Sequence, residues 1–362
     1  MRRIALLTVV LGLVLAACGN GGADNTTTTS GGDGATTTTV PDATTTTAAP
    51  PQTTELIVYS GRNENFVQPV VEAFTAATGI RVRVRYGDGT ADLASTILNE
   101  GETTSADIFW AQDPAWIGAI GDAGLLTDLP DDILSLVDPS YSDADGQWVG
   151  VTARSRVFVY NPDLVSEDEL PQSVDELTGP EWEGRVGIAP GNASFVAFVS
   201  AMELVDGSDA TLAWLEGMAA NNSPTFAGNG GALSAVAAGD VDAALINHYY
   251  LLQSQGQGNN PNAVNHYFEA GDVGALVMAT GVGVLEPSTS REAAFEFVRY
   301  LLSAEAQAHF VNNLYEYGLI DGAPTPTGQK PLADLEGPDI NQSDLAGYLN
   351  SSVTLITRAG LN

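Results

Sequence analysis

The residues with most chemistry to offer stand in one run, Asn247-His248-Tyr249-Tyr250, directly after the apolar stretch Ala243-Ala244-Leu245-Ile246. An amide, an imidazole and two adjacent phenols can donate, accept and, once ionised, ligate. The apolar stretch follows a turn at Gly239-Asp240 and reads as a buried strand of a parallel sheet. Open α/β sheets bind ligands beyond the carboxyl ends of their strands, where these four side chains fall. The competing reading makes Tyr249 and Tyr250 packing residues with their hydroxyls in water. Position and composition alone leave both readings open.

The elements that must position this run are legible from periodicity. Glu55–Ser60 reads as a strand, and Glu64–Thr78 as a helix with apolar residues at Phe66, Val70, Val71, Phe74 and Ala77, stopped by Gly79. Ile80–Tyr86 alternates Val and Arg as a strand with one solvated face. A helix over Thr90–Asn99 and a strand over Ala106–Trp110 complete a β-α-β-α-β unit, which indicates a doubly wound α/β domain. Trp116–Gly124 is expected as a helix and Gly150–Asn161 as a long strand. Helices are expected at Ser173–Leu177, Ala193–Leu204, Ala210–Ala219 and Gly231–Ala238, with a strand at Val186–Ala189. Strand material over Gly271–Thr280 and Val282–Leu285 is expected to break at Gly281-Val282-Gly283, before helices at Ser290–Leu302 and Glu305–Asn312. Two α/β halves joined by extended passages near Arg154 and Thr280 predict two lobes with a cleft between them.

Composition narrows the function classes. At 362 residues and 44% apolar content the chain is long enough for two packed domains. A formal charge of −32 argues against nucleic acid, because phosphate binding needs Lys and Arg. Residues 1–18 read as a targeting segment: Arg2 and Arg3 precede the apolar run Ile4–Leu15, which is too short to span a bilayer. Its end, Leu15-Ala16-Ala17-Cys18, resembles a bacterial lipobox, which implies lipidation of Cys18 and cleavage before it. Cys18 is the only cysteine, so no internal disulfide can form. Residues 19–54, rich in Thr, Gly, Ala, Asp and Pro, lack apolar periodicity and read as a disordered tether. Fully extended at about 3.1 Å per residue, it would reach on the order of 100 Å. The body would then lie outside the cell, held at the membrane by lipid.

From Glu55 onward the chain resembles the substrate-binding lipoproteins of bacterial ferric-iron ABC importers, in the class of periplasmic binding proteins and transferrin-like iron binders. The resemblance rests on Val58-Tyr59-Ser60-Gly61-Arg62, Phe74-Thr75-Ala76-Ala77-Thr78-Gly79-Ile80 and Ala106-Asp107-Ile108-Phe109-Trp110-Ala111-Gln112-Asp113. It extends to Trp182-Glu183-Gly184-Arg185-Val186-Gly187-Ile188-Ala189-Pro190 and Leu245-Ile246-Asn247-His248-Tyr249-Tyr250. Most of these stretches belong to the shared fold, and the Tyr pair is the iron-specific part. The resemblance implies a two-lobed α/β fold, each lobe a mixed sheet flanked by helices and joined by hinge strands. Residues 55–155 with 280–330 would form lobe 1, and 156–279 with 331–362 lobe 2.

It further implies that Tyr249 and Tyr250 ligate Fe3+ as phenolates, and that Asn247 and Asn229 fall where the family holds a synergistic anion, carbonate or phosphate. Beside these, Asp113 and Glu64 are candidate carboxylate ligands or else helix caps and dipole partners. Arg62 is a further candidate for the anion, and Asn192 is either another or the cap of the helix that follows. The partner would be an ABC transporter permease, with the receptor a monomer. The chemistry agrees, since ferric ion prefers anionic oxygen and a phenol of pKa about 10 ionises at neutral pH only when a cation stabilises it.

Three positions depart from the family pattern: Asn63 stands where many members have His, Gln112 where they have Glu, and Phe195 where some supply a third Tyr. The alternatives are a receptor for an organic cation such as a polyamine, or for an oxyanion. A secreted hydrolase is disfavoured by the absence of a G-x-S-x-G nucleophile motif. Replacing Cys18→Ser should abolish incorporation of labelled fatty acid in a bacterial host and move the chain to the soluble extracytoplasmic fraction.

Overall fold

The computed structural model describes residues 55–259 and 261–361. The expected signal segment, the lipidation site Cys18 and the tether lie outside these residues.

The chain opens with β1 (Glu55–Ser60), α1 (Glu64–Thr78), β2 (Arg81–Tyr86), α2 (Thr90–Glu100) and β3 (Ile108–Trp110). β1 pairs in parallel with both β2 and β3. Asn63 caps α1 by accepting from the Asn65 backbone N–H at 3.2 Å. Val67, Val70, Val71 and Phe74 form the buried stripe of α1. Gly79, at φ 76°, ends it by donating its N–H to the Thr75 carbonyl. α3 (Pro114–Asp122) follows, capped by Asp113 and carrying Pro114 at its first position, and then the short α4 (Asp131–Leu134).

β4 (Trp148–Tyr160) is the axis of the molecule: thirteen residues, all buried. Its first half, Trp148–Ser155, pairs antiparallel with β8 (Val277–Val284), and β8 pairs with β3. Its second half, from Arg156, pairs antiparallel with β6 (Ala243–Asn247) and with β7 (Val264–His266). β6 in turn pairs in parallel with β5 (Val186–Gly187). Strand order is therefore β2-β1-β3-β8-β4-β6-β5, one path whose two ends belong to different cores. The change of partner falls between Ser155 and Arg156, where the Arg156 N–H donates to the Leu276 carbonyl at 2.8 Å.

The remaining elements clothe these two sheets. α5 (Ala193–Asp206), α6 (Ser208–Ala220), α7 (Asn229–Ala238) and α8 (Tyr249–Gly256) flank the second. Behind the first lie α9 (Arg291–Leu301) and α10 (Ala304–His309), a π-helical turn over Phe310–Leu314, and β9 (Tyr317–Gly318), which pairs with β4. The chain then returns, and α11 (Leu349–Arg358) packs on α5. One apolar core gathers Val58, Phe74, Trp110, Phe297 and Phe310, and another gathers Phe158, Trp182, Phe198, Trp214 and Leu355.

Several expectations are corrected. The organising strand lies in a mixed sheet, since β6 has one parallel and one antiparallel neighbour. Gly281 and Gly283 do not break β8. A Cβ on Gly281 would lie 2.7 Å from Ile117, so glycine there lets α3 approach the sheet. Residues Val273–Ala275 form a 3-10 turn in place of a strand, as do Val174–Thr178 in place of a helix. The helix expected over Glu305–Asn312 is α10 running into the π turn.

Where the two halves of β4 meet, Arg62 and Glu316 form an ion pair with both side chains fully buried. The Arg62 Nη2 donates to both Glu316 oxygens at 2.8 Å, Nη1 donates to Thr152 and Thr280 at 3.2 Å, and Thr152 donates to Glu316 at 2.6 Å. Arg62 holds Glu316 below the usual carboxylate range despite its burial. Removing one partner of such a pair strands a buried charge. Glu316→Ala should therefore cost about 3–5 kcal/mol in denaturant unfolding, and pairing it with Arg62→Met should recover most of that loss.

Candidate functional site

β6 delivers Asn247 as its last residue, opposite Arg156 of β4. The chain turns through His248, already at helical φ and ψ, and α8 begins at Tyr249. This abrupt strand-to-helix junction fixes the two phenols side by side. Their rings stack with centroids 4.5 Å apart and planes 23° apart. Tyr249 is buried and Tyr250 half-buried, and both line a cleft of about 960 Å³. The opposite wall comes from the Gly61–Glu64 loop, the Gly87–Asp92 turn, Gln112 and Trp116.

Close enough to Tyr249 to act on it electrostatically lies Arg154, fully buried, none of whose three guanidinium nitrogens has a hydrogen-bond partner among the described residues. Burial lowers its pKa, opposed by the nearby Tyr249, Glu316 and Asp113. Tyr249 is pushed well above the ordinary phenol value, first by burial and then by Tyr250 and Glu316, with Arg154 acting in the other direction. On its own, then, the Tyr249 phenol stays protonated at neutral pH. A cation on its oxygen is what would ionise it.

Next to it a polar cradle forms around Ser194, which lies in the first turn of α5. Asn192 accepts from the Ser194 backbone N–H at 3.0 Å and from its hydroxyl at 2.6 Å. Asn229 donates to the Ser194 hydroxyl at 3.3 Å. Arg156 reaches Ser194 at 3.5 Å, the Asn247 amide oxygen at 3.2 Å and the Leu245 carbonyl at 3.1 Å. Burial brings the Arg156 pKa down to about 9, helped by repulsion from Arg154. Asn229 Oδ1 and Asn247 Nδ2 remain unpartnered though buried. Orphaned groups of this kind mark where a ligand completes the hydrogen bonding.

The expected site residues thus separate. Tyr249 and Tyr250 are together, and Asn192, Asn229 and Asn247 gather around Ser194 and Arg156. Asp113 lies fully buried at the start of α3, with Oδ1 accepting from the Trp116 N–H at 3.1 Å and Oδ2 unpartnered. Burial raises its pKa to about 6, with Arg154 pulling the other way. Glu64 is exposed at the cleft rim on the first turn of α1. Arg62 is committed through both Nη atoms to Glu316 and the two threonines, and only its Nε is unpartnered. Of the departing positions, Asn63 is a helix cap, Gln112 lines the cleft, and Phe195 is buried against Phe198. Sequence reading missed the roles of Arg154, Arg156 and Glu316. The signal for the first two was there: Thr-Ala-Arg-Ser-Arg puts two arginines on one face of an otherwise apolar strand.

Two lobes joined through shared strands, with a cleft lined by Tyr249, Tyr250, Asn192 and Gln112 and unsatisfied cationic and amide groups buried nearby, define a ligand-binding protein. Residues 59–308 match the model for bacterial extracellular solute-binding proteins, and the chain belongs to that family. It is 37% identical over 311 residues to the Fe(3+)-binding periplasmic protein of Serratia marcescens, covering 84% of this chain and 90% of that one. It is 33% identical over 315 residues to the major ferric iron-binding protein of Neisseria meningitidis serogroup B, covering 85% and 93%. Among solved structures it superposes on iron-bound HitA from Pseudomonas aeruginosa with a TM-score of 0.81 at 34% identity, over 85% of this chain and 100% of the other.

The orphaned guanidinium makes a specific prediction for the iron-free chain. Phosphate at a hundredfold excess over its Kd should stabilise it by about 2.7 kcal/mol, seen as a raised melting temperature. Arg154→Gln should remove most of that gain.

Proposed function

We propose that this chain is an extracytoplasmic receptor that binds Fe3+ through the Tyr249 and Tyr250 phenolates, together with an anion, and delivers it to an ABC permease. The observation that carries this reading is the stacked Tyr pair lining the cleft, with the buried and unpartnered Arg154 close to Tyr249. The names of the relatives support it, since those proteins are described as binding ferric iron. Two phenolates leave Fe3+ with one net positive charge. The floor supplies three buried guanidiniums against two buried carboxylates, so a further positive charge is unanswered. An anion, carbonate or hydrogen phosphate, would offset this charge, held by Arg154, Asn229 and Asn247 with Asn192 supporting Ser194.

In this reading Asp113 offers its free Oδ2 from the first lobe, and Glu64 comes from the rim when the lobes approach. Closure follows because a metal ligated from both sides favours the shut form over the open one. The lobe limits inferred from sequence, the Cys18 lipid anchor and a monomeric state belong to the same proposal. The uncompensated arginines also favour a second reading, a receptor for an oxyanion alone.

Titration of the chain with ferric citrate at neutral pH separates the two. A visible phenolate-to-iron charge-transfer band should saturate at about one iron per chain, with release of roughly two protons as both phenols ionise. Tyr249→Phe and Tyr250→Phe should each lose most of it. A colourless protein that still binds phosphate would overturn the ferric reading in favour of the oxyanion.

A further inference from the structure

His248 stands immediately before the Tyr pair, and its ring is fully buried. Nδ1 accepts from the Ser155 backbone N–H at 3.2 Å, at the residue where β4 changes sheets. That contact fixes the tautomer, so Nε2 carries the proton and donates to the Tyr315 carbonyl at 2.9 Å. The imidazole stacks on Tyr317 of β9 at 4.7 Å and 28°, and meets Tyr249 edge-on at 5.9 Å. Its backbone is equally engaged: its N–H donates to the Ser155 carbonyl at 3.0 Å, and its carbonyl accepts from Asn265 at 2.9 Å. One side chain therefore touches the second sheet, the crossover and the returning 315–317 segment of the first.

The grip continues along α8. Gln253 donates to the Leu314 carbonyl at 3.1 Å. Gly256 admits the Tyr315 ring, since a Cβ there would lie 2.2 Å from its hydroxyl. Tyr315 itself is held at φ 60°, a left-handed conformation uncommon outside glycine. The π turn over Phe310–Leu314 ends at this residue, and such turns recur at functional sites.

We infer that His248 is a positioning residue, the pivot pin on which the lobes turn. It holds the start of α8 to the Tyr315–Tyr317 segment so that the Tyr pair keeps its place while the cleft opens and closes. The metal-bearing end of α8 then sits on the rotation axis, and most of the opening displaces the far rim. The role in ligand release rests on the ferric reading; the pivot itself rests on the contacts alone.

The test uses the chain with Cys18→Ser and spin labels on cysteines replacing Glu72 and Glu216, one exposed residue on each side of the cleft. Pulsed EPR then reads the interlobe distance distribution with and without iron. His248→Asn keeps an acceptor for Ser155 but cannot reach Tyr315. It should broaden the iron-free distribution and speed iron loss to a competing chelator about five- to tenfold, as expected for one lost hydrogen bond. The position of the charge-transfer band should not move. His248→Gln, which can restore the donor to Tyr315, should fall between the two. Gln253→Leu, cutting the second strap, should act in the same direction if His248→Asn folds poorly.

An unchanged distribution and release rate in a folded His248→Asn or Gln253→Leu chain would overturn the proposal. So would a shifted band, since that would place His248 in the ligand shell. Should the parent chain show no band, the ferric reading fails separately, and the iron-free distances still decide on the pivot.

Discussion

Uncompensated positive charge at the lobe junction is the constraint around which this molecule is built. Three guanidiniums, those of Arg62, Arg154 and Arg156, are buried in the body, and each buried ion costs several kcal/mol unless it is answered. Arg62 is answered by Glu316, and Arg156 by Asn247, Ser194 and a backbone carbonyl. Arg154 is bonded to nothing among the described residues. A protein holds such a group only where a ligand completes it, or where the surrounding field offsets its cost. Here the carboxylates of Glu316 and Asp113 supply part of that field, and Tyr249 would join them once its phenol ionises.

That charge also explains why distant segments converge. Glu316 and Arg62 are 254 positions apart, and Thr152 and Thr280 are 128 apart, yet all four share one hydrogen-bonded cluster. The cluster ties the loop after β1 and the residue before β9 to Thr152 of β4 and Thr280 of β8, a few residues before β4 passes from one sheet to the other. The cluster braces the crossover, while the walls belong to separate apolar cores that α3 reaches between. That helix packs one face under the first sheet and another on the 342–348 turn. Gly118 faces Ala346 so closely that a Cβ would lie 2.8 Å from it. A braced crossover with separately packed walls is the mechanical form of a protein that closes on its ligand.

Much of this was legible in the sequence because periodicity reports burial. Periodicity alone locates α1, β2, α5 and β6 to within a residue or two, and the Tyr pair at a strand end points to the cleft. What escaped had a common cause. Glycine in β8 was read as punctuation, whereas its role is to admit Ile117 and Leu126, neighbours remote in sequence. Val174–Thr178 had helical spacing but only five residues, too few to outweigh a tight turn capped by Ser173. Arg154, Arg156 and Glu316 were missed as a set because a charge inside a strand looks like a solvated face until the opposite layer is known. Pairing across more than 200 residues leaves no local trace.

The position of β8 has a consequence for how the chain comes into being. β8 lies between β3 and β4, yet it is formed by residues 277–284, long after both neighbours have been made. Until then, Ile108–Trp110 and Trp148–Ser155 expose unpaired edges, and the first core lacks its central strand. Such non-local closure is slow and comes late. A nascent chain therefore cannot complete its first lobe until about three-quarters of it is synthesised. The same topology that encloses the cleft thus makes closure of the first core a late event in folding.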